Sequence, residues 1–304
     1  MSATPKNVGA SVMARLLTRA KARGDDYQLL VRAYAFERLL YRIGQSPLRH
    51  RFVLKGAMLL RLWSDHPYRA TRDLDLLRRG EASFDTIRED FEVILAAPVP
   101  ADGITFDAAA LVLEPIGGDG EYLGTRLVLP ARCDRARLSL QVDFGVGDAV
   151  WPEPRVRRYP ALLDAPAPEV FAYERETVVA EKLEALVVLG DRNSRIKDFF
   201  DLHMLATTFA FARRELGESV RRTFARRQTP IPDVAPIGLT PAYWENPSRP
   251  TQVRAFARRA GLAATAETGR EFNAVLSAFL LPVLYDLATD GPRAGTWSPG
   301  GPWT

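Results

Sequence analysis

Two aspartates one residue apart, Asp73 and Asp75, are the residues whose type and spacing most directly indicate chemistry. Side chains at i and i+2 of a β-strand project to one face, so both carboxylates would point together while Leu74 and Leu76 enter a core. Two like charges held this close repel, and a cation would offset the repulsion. Mg²⁺ (or Mn²⁺) is commonly held by one or two carboxylates and substrate phosphates. The pair therefore predicts a metal site for phosphoryl or nucleotidyl transfer.

A third carboxylate, Asp143, lies on the polar face of a strand predicted over residues 137–144. If this strand pairs beside the one with Asp73 and Asp75, three carboxylates converge and would hold two divalent ions. Asp143 would also be placed to accept the proton of an attacking hydroxyl. Without that pairing, Asp143 is equally consistent with a solvent-facing strand residue.

Four residues before the carboxylates suit phosphate binding. Lys55 and Gly56 precede a short predicted helix, whose N-terminal N–H groups favour an anion, and glycine permits close approach of a phosphate. Arg69 and Arg72 add positive charge immediately before the acidic strand. This combination predicts a substrate that carries phosphate groups.

The elements that position these residues form two regions. Helices and alternating strands predict an α+β domain over residues 1–150 with helices at its N-terminus, and helical periodicity predicts a second domain over 169–289. The proline-rich stretch 151–168 is predicted to be a linker. Residues 290–304, with three prolines and four glycines, are predicted to be a flexible tail.

Composition narrows the class of protein. The single cysteine, Cys133, excludes an intrachain disulfide, and we expect a cytoplasmic protein with no membrane partner. The net charge of +4 is too small to identify a nucleic-acid binder. Arg214, Arg221 and Arg222 lie near one another on a predicted helix, where they would either track an RNA backbone or form a solvated helix face.

Three motifs in this order resemble the AbiEii/AbiGii-type nucleotidyltransferase toxins, whose relatives include the MenT toxins. The first runs from Lys55-Gly56 through Leu59-Leu60 to Arg69-x-Thr71-x-Asp73-Leu74-Asp75-Leu76. The second and third are Glu181-Lys182-Leu183-Glu184-Ala185-Leu186 and Arg195-Ile196-Lys197-Asp198-Phe199-Phe200-Asp201-Leu202. The resemblance implies a mixed-sheet core of the DNA polymerase β-like superfamily, followed by an all-helical C-terminal domain.

The resemblance also assigns roles. It implies that Asp73, Asp75 and Asp143 are metal ligands and that Lys182 and Asp198 are essential, with Lys182 contacting the triphosphate. Some members are silenced by phosphorylation near the first carboxylate, and Thr71 stands at that place. Ala57 departs from the usual Gly-Ser or Gly-Gly motif, so phosphate contacts there would come from the backbone or Lys55.

The function implied by the resemblance is transfer of a nucleoside monophosphate from an NTP to RNA, with the 3′ end of tRNA as the expected acceptor. Such transfer would block translation within a toxin–antitoxin or phage-defence system, with a separate antitoxin as partner. Two alternatives remain: nucleotidyl transfer to a protein hydroxyl, and a non-catalytic regulator that binds nucleotide or RNA.

Overall fold

A computed structural model describes residues 7–64, 71–116, 124–265, 267–289, 291 and 293–304. The chain forms two compact units: Met1–Gly147 with Arg155–Ala172, and Asp148–Pro154 with Tyr173–Thr304. The first is a mixed α/β structure and the second is mainly helical, so the predicted α+β class with a helical C-terminal region is confirmed.

The first unit is built on a mixed eight-stranded sheet. Its strands are β1 Phe52–Lys55, β2 Asp73–Arg78, β3 Ile104–Phe106, β4 Val112–Ile116, β5 Gly124–Cys133, β6 Ala136–Val146, β7 Arg155–Arg158 and β8 Glu169–Ala172. The spatial order is β3-β5-β6-β2-β1-β8-β7, and β4 also pairs with β5. Strand β2 therefore lies inside the sheet, antiparallel to β1 and parallel to β6.

One face of this sheet forms the apolar core. The helices of the unit are α1 Val8–Arg23, α2 Tyr27–Gln45, α3 Leu60–Trp63 and α4 Phe84–Leu95. The side chain of Asp26 caps α2 by accepting from the Leu29 amide. Phe91 of α4 packs edge-on against Phe52 and Phe144 of the sheet, with ring centroids 6.0 and 5.7 Å apart.

The second unit consists of α5 Arg175–Leu189, α6 Ile196–Thr208, α7 Arg213–Arg226, α8 Pro241–Glu245, α9 Arg249–Ala260 and α10 Thr268–Thr289, with a ribbon of β9 Phe211–Ala212 and β10 Thr296–Trp297. By length and composition, α10 is the one helix within the described ranges that could cross a membrane. Its side chains Phe272, Phe279 and Leu280 are buried, as is also common in a core helix.

The stretch 151–168 differs from the predicted linker. Arg155–Arg158 forms β7 at the edge of the sheet, paired with β8. Beyond it, the backbone N–H of Leu162 donates to the buried carboxylate of Glu37 at 2.6 Å. Four hydrogen-bonded strand residues lie between the prolines, so the prolines do not prevent pairing.

The C-terminal residues also differ from the predicted flexible tail. Trp297 of β10 is 1% exposed, and its indole N–H donates to the Ala206 carbonyl at 2.7 Å. The indole N–H of Trp303 donates to the Phe279 carbonyl at 2.9 Å. Two tryptophans therefore anchor a segment whose glycine and proline content suggested mobility.

Candidate active site

The predicted orientation of the two aspartates is observed in β2. Leu74 and Leu76 are fully buried on the core face, whereas Asp73 and Asp75 are half-buried on the opposite face. Strict alternation along the strand produces this division. The two carboxylates therefore share one face of the sheet.

Asp143 joins them through the parallel pairing of β2 with β6. Asp75 is the register partner of Asp143, and Asp73 is that of Gln141. Neighbouring strands lie about 4.8 Å apart and register partners project to the same face. The strand pairing on which the predicted trio depended is thus present.

The oxygens of Asp143 are already occupied by side-chain donors. Arg126 of β5 donates from Nε to Oδ1 at 2.9 Å and from Nη2 to Oδ2 at 3.0 Å. Gln141 donates from Nε2 to the same carboxylate, at 3.3 Å to Oδ1 and 3.1 Å to Oδ2. Hydrogen bonding to Asp143 raises the pKa of Arg126, which therefore stays protonated. Sequence reasoning missed both Arg126 and Gln141.

The charged residues form a row across five strands. The register places Glu114 of β4 beside Arg126, Arg126 beside Asp143, Asp143 beside Asp75, and Asp75 beside Lys55 of β1. Cations therefore stand on both sides of the central pair of carboxylates. This alternation offsets the repulsion that Asp75 and Asp143 would otherwise impose on folding.

Gly56 is required where the chain leaves β1. Its φ is +69°, a region that favours glycine, and an added Cβ would lie 1.9 Å from Oδ2 of Asp75. The backbone of Gly56 therefore packs directly against this carboxylate. The neighbouring Ala57, where the motif departs from its usual form, is buried.

Thr71 contacts the first carboxylate. Its hydroxyl donates to the backbone carbonyl of Asp73 at 3.1 Å and also bonds the Asp73 carboxylate. Arg72 is exposed beside it. Arg69, predicted to contact phosphate, lies outside the described residues.

The donor set fits one hard divalent cation better than two. Asp73 and Asp75 present carboxylate oxygens on one face, as Mg²⁺ needs when phosphates supply the remaining ligands. Among the described residues, no group of three or more His, Cys, Asp or Glu side chains is arranged to hold a metal ion. Asp143, the third carboxylate of the predicted trio, is paired with Arg126.

Lys182 and Asp198 form a second ionic cluster, in the helical unit. The ammonium of Lys182 contacts Asp198 at 2.5 Å and Asp201 at 2.6 Å, and Arg195 contacts Asp198 at 2.8 Å. Both carboxylates are about 2% exposed. Burial opposes ionisation of Asp198, but the attraction of Lys182 and Arg195 prevails and lowers its pKa, whereas burial raises the pKa of Asp201. The two residues that the resemblance marks as essential therefore form an ion pair within a four-residue network.

The three arginines proposed for RNA contact lie on α7. Arg221 and Arg222 both pair with Glu218. The hydrogen bonds of Arg221, which have the larger effect, and of Arg222 lower the pKa of Glu218 to about 2. The guanidinium of Arg222 also lies 4.2 Å from the ring centroid of Trp151. Arg214 is exposed. Part of the charge of this surface is thus offset by Glu218.

Comparison with known proteins gives a family match. The model of the family described as nucleotidyl transferase AbiEii toxin, of type IV toxin–antitoxin systems, matches residues 38–280. No curated protein matches the chain.

Two solved structures from Helicobacter pylori are similar. JHP933 is 14% identical with a TM-score of 0.47, covering 86% of this chain and 94% of its own. A second protein, provisionally assigned as a nucleotidyltransferase, is 14% identical with a TM-score of 0.46, covering 86% and 97%. The family match spans most of the chain, and the assignment to a family rests on this match alone.

We expect Gly56→Ala to displace Asp75 and weaken Mn²⁺ binding by about tenfold, the usual scale for disturbing the support of a metal ligand. Gly24→Ala is the matched control, because Gly24 has φ +71° but nothing within 4 Å of an added Cβ. It should cost about 1–2 kcal/mol of backbone strain alone. Titration calorimetry and urea unfolding measure the two quantities. Equal Mn²⁺ affinity in both variants would contradict the role of Gly56.

We expect Lys182→Met to lower the free energy of unfolding by about 3–5 kcal/mol at pH 7, because the buried carboxylate of Asp201 loses its cation and that of Asp198 keeps only Arg195. Burial already raises the pKa of Asp201, and without Lys182 its folded-state pKa would exceed the unfolded value further, so protons bind the folded state more tightly. The deficit should therefore shrink as the pH falls toward 5 and grow as it rises. Urea unfolding at several pH values measures it, with exposed Lys21→Met as control. A pH-independent deficit would refute this account.

Proposed function

Because this chain belongs to the AbiEii nucleotidyl transferase toxin family of type IV toxin–antitoxin systems, we propose that it transfers a nucleoside monophosphate from an NTP to RNA, with the tRNA 3′ end as acceptor. The observation that carries the proposal is the Asp73–Asp75 pair on one face of β2, beside Lys55 and Gly56. We also propose that the reaction requires a divalent metal ion and that it blocks translation.

The proposed reaction is a displacement at the α-phosphorus. The acceptor hydroxyl gives up its proton to water as its oxygen forms a bond to this phosphorus. The bond from the phosphorus to the bridging oxygen of the β-phosphate breaks, and pyrophosphate leaves with the electron pair. A bound Mg²⁺ (or Mn²⁺) would supply electrostatic stabilisation of the charge that develops on the phosphoryl oxygens. Asp73 and Asp75 would hold this ion, and the backbone at Gly56 with Lys55 would contact phosphate.

Transfer to the tRNA 3′ end would prevent aminoacylation or use of that end, and so block translation. We propose that the protein acts in the cytoplasm, where NTP and tRNA are both present, within a toxin–antitoxin or phage-defence pair. The family implies a separately encoded antitoxin as partner. Arg214, Arg221 and Arg222 remain the proposed contacts for the RNA backbone.

One experiment separates the acceptors. The purified protein is incubated with each labelled NTP, Mg²⁺, and either total tRNA or total protein. Label on tRNA supports this proposal, and label on protein supports transfer to a protein hydroxyl. Absence of label on both, with NTP binding retained, supports a regulator without catalysis.

We expect Asp73→Ala to abolish labelling while the protein stays folded, because one of the two proposed metal ligands is lost. Exposed Asp233→Ala in the helical unit is the control and should label like the native protein. Circular dichroism verifies that both variants are folded. Full labelling by Asp73→Ala would rule out the metal assignment.

We propose that Thr71 is a site at which phosphorylation silences the protein. Its hydroxyl bonds Asp73, so a phosphate there would place close to two negative charges beside the metal ligand and repel the nucleotide. We expect Thr71→Ser to remain silenced by the cognate antitoxin and Thr71→Val to escape, with the antitoxin-free activity of each variant as its reference. Complete silencing of Thr71→Val would count against this role.

A further inference from the structure

Among the residues that the structure describes, the side chain of Arg126 is hydrogen-bonded on the side of Asp143, and its register neighbour on the other side is the exposed Glu114 of β4. Its Nε–H and one N–H of Nη2 point to Asp143. A guanidinium has five N–H groups, so three remain, two on Nη1 and one on Nη2. About a third of the side chain is exposed, 34%. In the described part of the chain no hydrogen bond engages these three N–H groups, and Glu114 attracts the guanidinium without bonding it, so the groups can donate to an acceptor on the face of the sheet that carries the aspartates.

Asp143 is better suited to holding this arginine than to holding a metal ion. Its two oxygens accept four hydrogen bonds from Arg126 and Gln141. A divalent ion at Asp143 would have to displace these donors and lie against the positive guanidinium. Mg²⁺ also requires near-ideal octahedral geometry and loses its waters reluctantly. Both effects oppose a metal at this position.

The position of Arg126 fits a contact with substrate phosphate. Asp143 draws the guanidinium toward β6, the strand directly beside β2, and the field of Asp73 acts on Arg126. Arginine matches the geometry of phosphate oxygens through paired N–H groups, and an arginine oriented by a carboxylate loses less freedom on binding.

We propose that Arg126 binds a phosphate group of the nucleoside triphosphate, and that Asp143 and Gln141 position Arg126 rather than coordinate a metal ion. This inference rests on the proposed function, because it concerns the nucleotide of that reaction. It replaces the second metal of the predicted three-carboxylate site with a fixed guanidinium. The structure thereby assigns a role to a residue that none of the sequence motifs contains.

Two binding measurements test the proposal without turnover. The first is titration calorimetry with the α,β-methylene analogues of the four nucleoside triphosphates in the presence of Mg²⁺. The second is electron paramagnetic resonance of Mn²⁺ added to the nucleotide-free protein. The variants are Arg126→Gln, Arg126→Lys and Asp143→Asn. Arg132→Gln is the matched control, because Arg132 lies exposed on the same strand and face, six residues away.

We expect Arg126→Gln to weaken the affinity for the best analogue by about tenfold or more, the scale of a hydrogen bond to a charged group. Arg126→Lys should recover part of this loss, since it keeps the charge but not the paired N–H groups. Asp143→Asn should also weaken the affinity for the analogue, yet keep the affinity for Mn²⁺ within about twofold of that of the native protein. The double variant Arg126→Gln/Asp143→Asn should bind the analogue no more weakly than Arg126→Gln, because Asp143 acts through Arg126.

Three outcomes overturn the inference: native analogue affinity in Arg126→Gln, a loss of Mn²⁺ affinity of about tenfold or more in Asp143→Asn, or no binding of any analogue by the native protein. Thermal unfolding verifies that each variant is folded. If Arg126→Gln does not fold, Arg126→Lys takes its place in the comparison of analogue affinities. Failure of the proposed function can be told apart from failure of this inference. In the former case the native protein would leave tRNA unlabelled, or Asp73→Ala would label it fully. If the native protein binds none of the analogues, Arg126 has no such role.

Discussion

The parallel pairing of β2 with β6 is the constraint on which the site depends. It sets Asp75 and Asp143 side by side on the exposed face, one strand spacing apart. Carboxylates at that distance favour the folded chain only if cations compensate them. Lys55 on β1 and Arg126 on β5 provide this compensation from the two flanking strands, so the electrostatics of the site follow from strand order and register.

The Lys182 cluster of the helical unit follows the same principle with a different geometry. Asp198 and Asp201 are three residues apart on α6 and therefore share a face of the helix, where Lys182 of α5 meets both. Each unit thus holds two acids close together, half-buried in the sheet and buried in the helical unit, with basic residues from other elements beside them. In both, a cation comes from a neighbouring strand or helix, so the charged group forms when these elements pack together.

The parts of the site that sequence could predict are those governed by local periodicity. The alternation of Leu74 and Leu76 with the aspartates fixes which face each side chain takes. Arg126 was not predictable in this way, because its partner depends on the register of a hairpin. The two-residue loop at Asp134 and Arg135 sets that register, but it lacks the Asn-Gly or Asp-Gly signal of such turns, and Asp134 alone takes the positive φ, 52°.

The same reasoning explains the other differences. Strand β7 is four residues long, lies at a sheet edge and is exposed throughout, so it has no alternating pattern to recognise. The C-terminal ribbon is two residues long, and two tryptophans hold it: Trp297 bonds α6, far earlier in the chain, and Trp303 bonds α10. Asp201, by contrast, was accessible to sequence reasoning, since its spacing from Asp198 places both on one side of a helix.

The path of the chain limits how gene recombination can exchange parts of this protein. Residues 148–154 belong to the helical unit, where the carbonyl of Trp151 accepts hydrogen bonds from Thr177 and Ser219, before the chain returns to complete the sheet with β7 and β8. A polypeptide beginning at Tyr173 would lack Trp151, and one ending at Gly147 would lack two strands. A single crossover between genes therefore cannot exchange either unit intact.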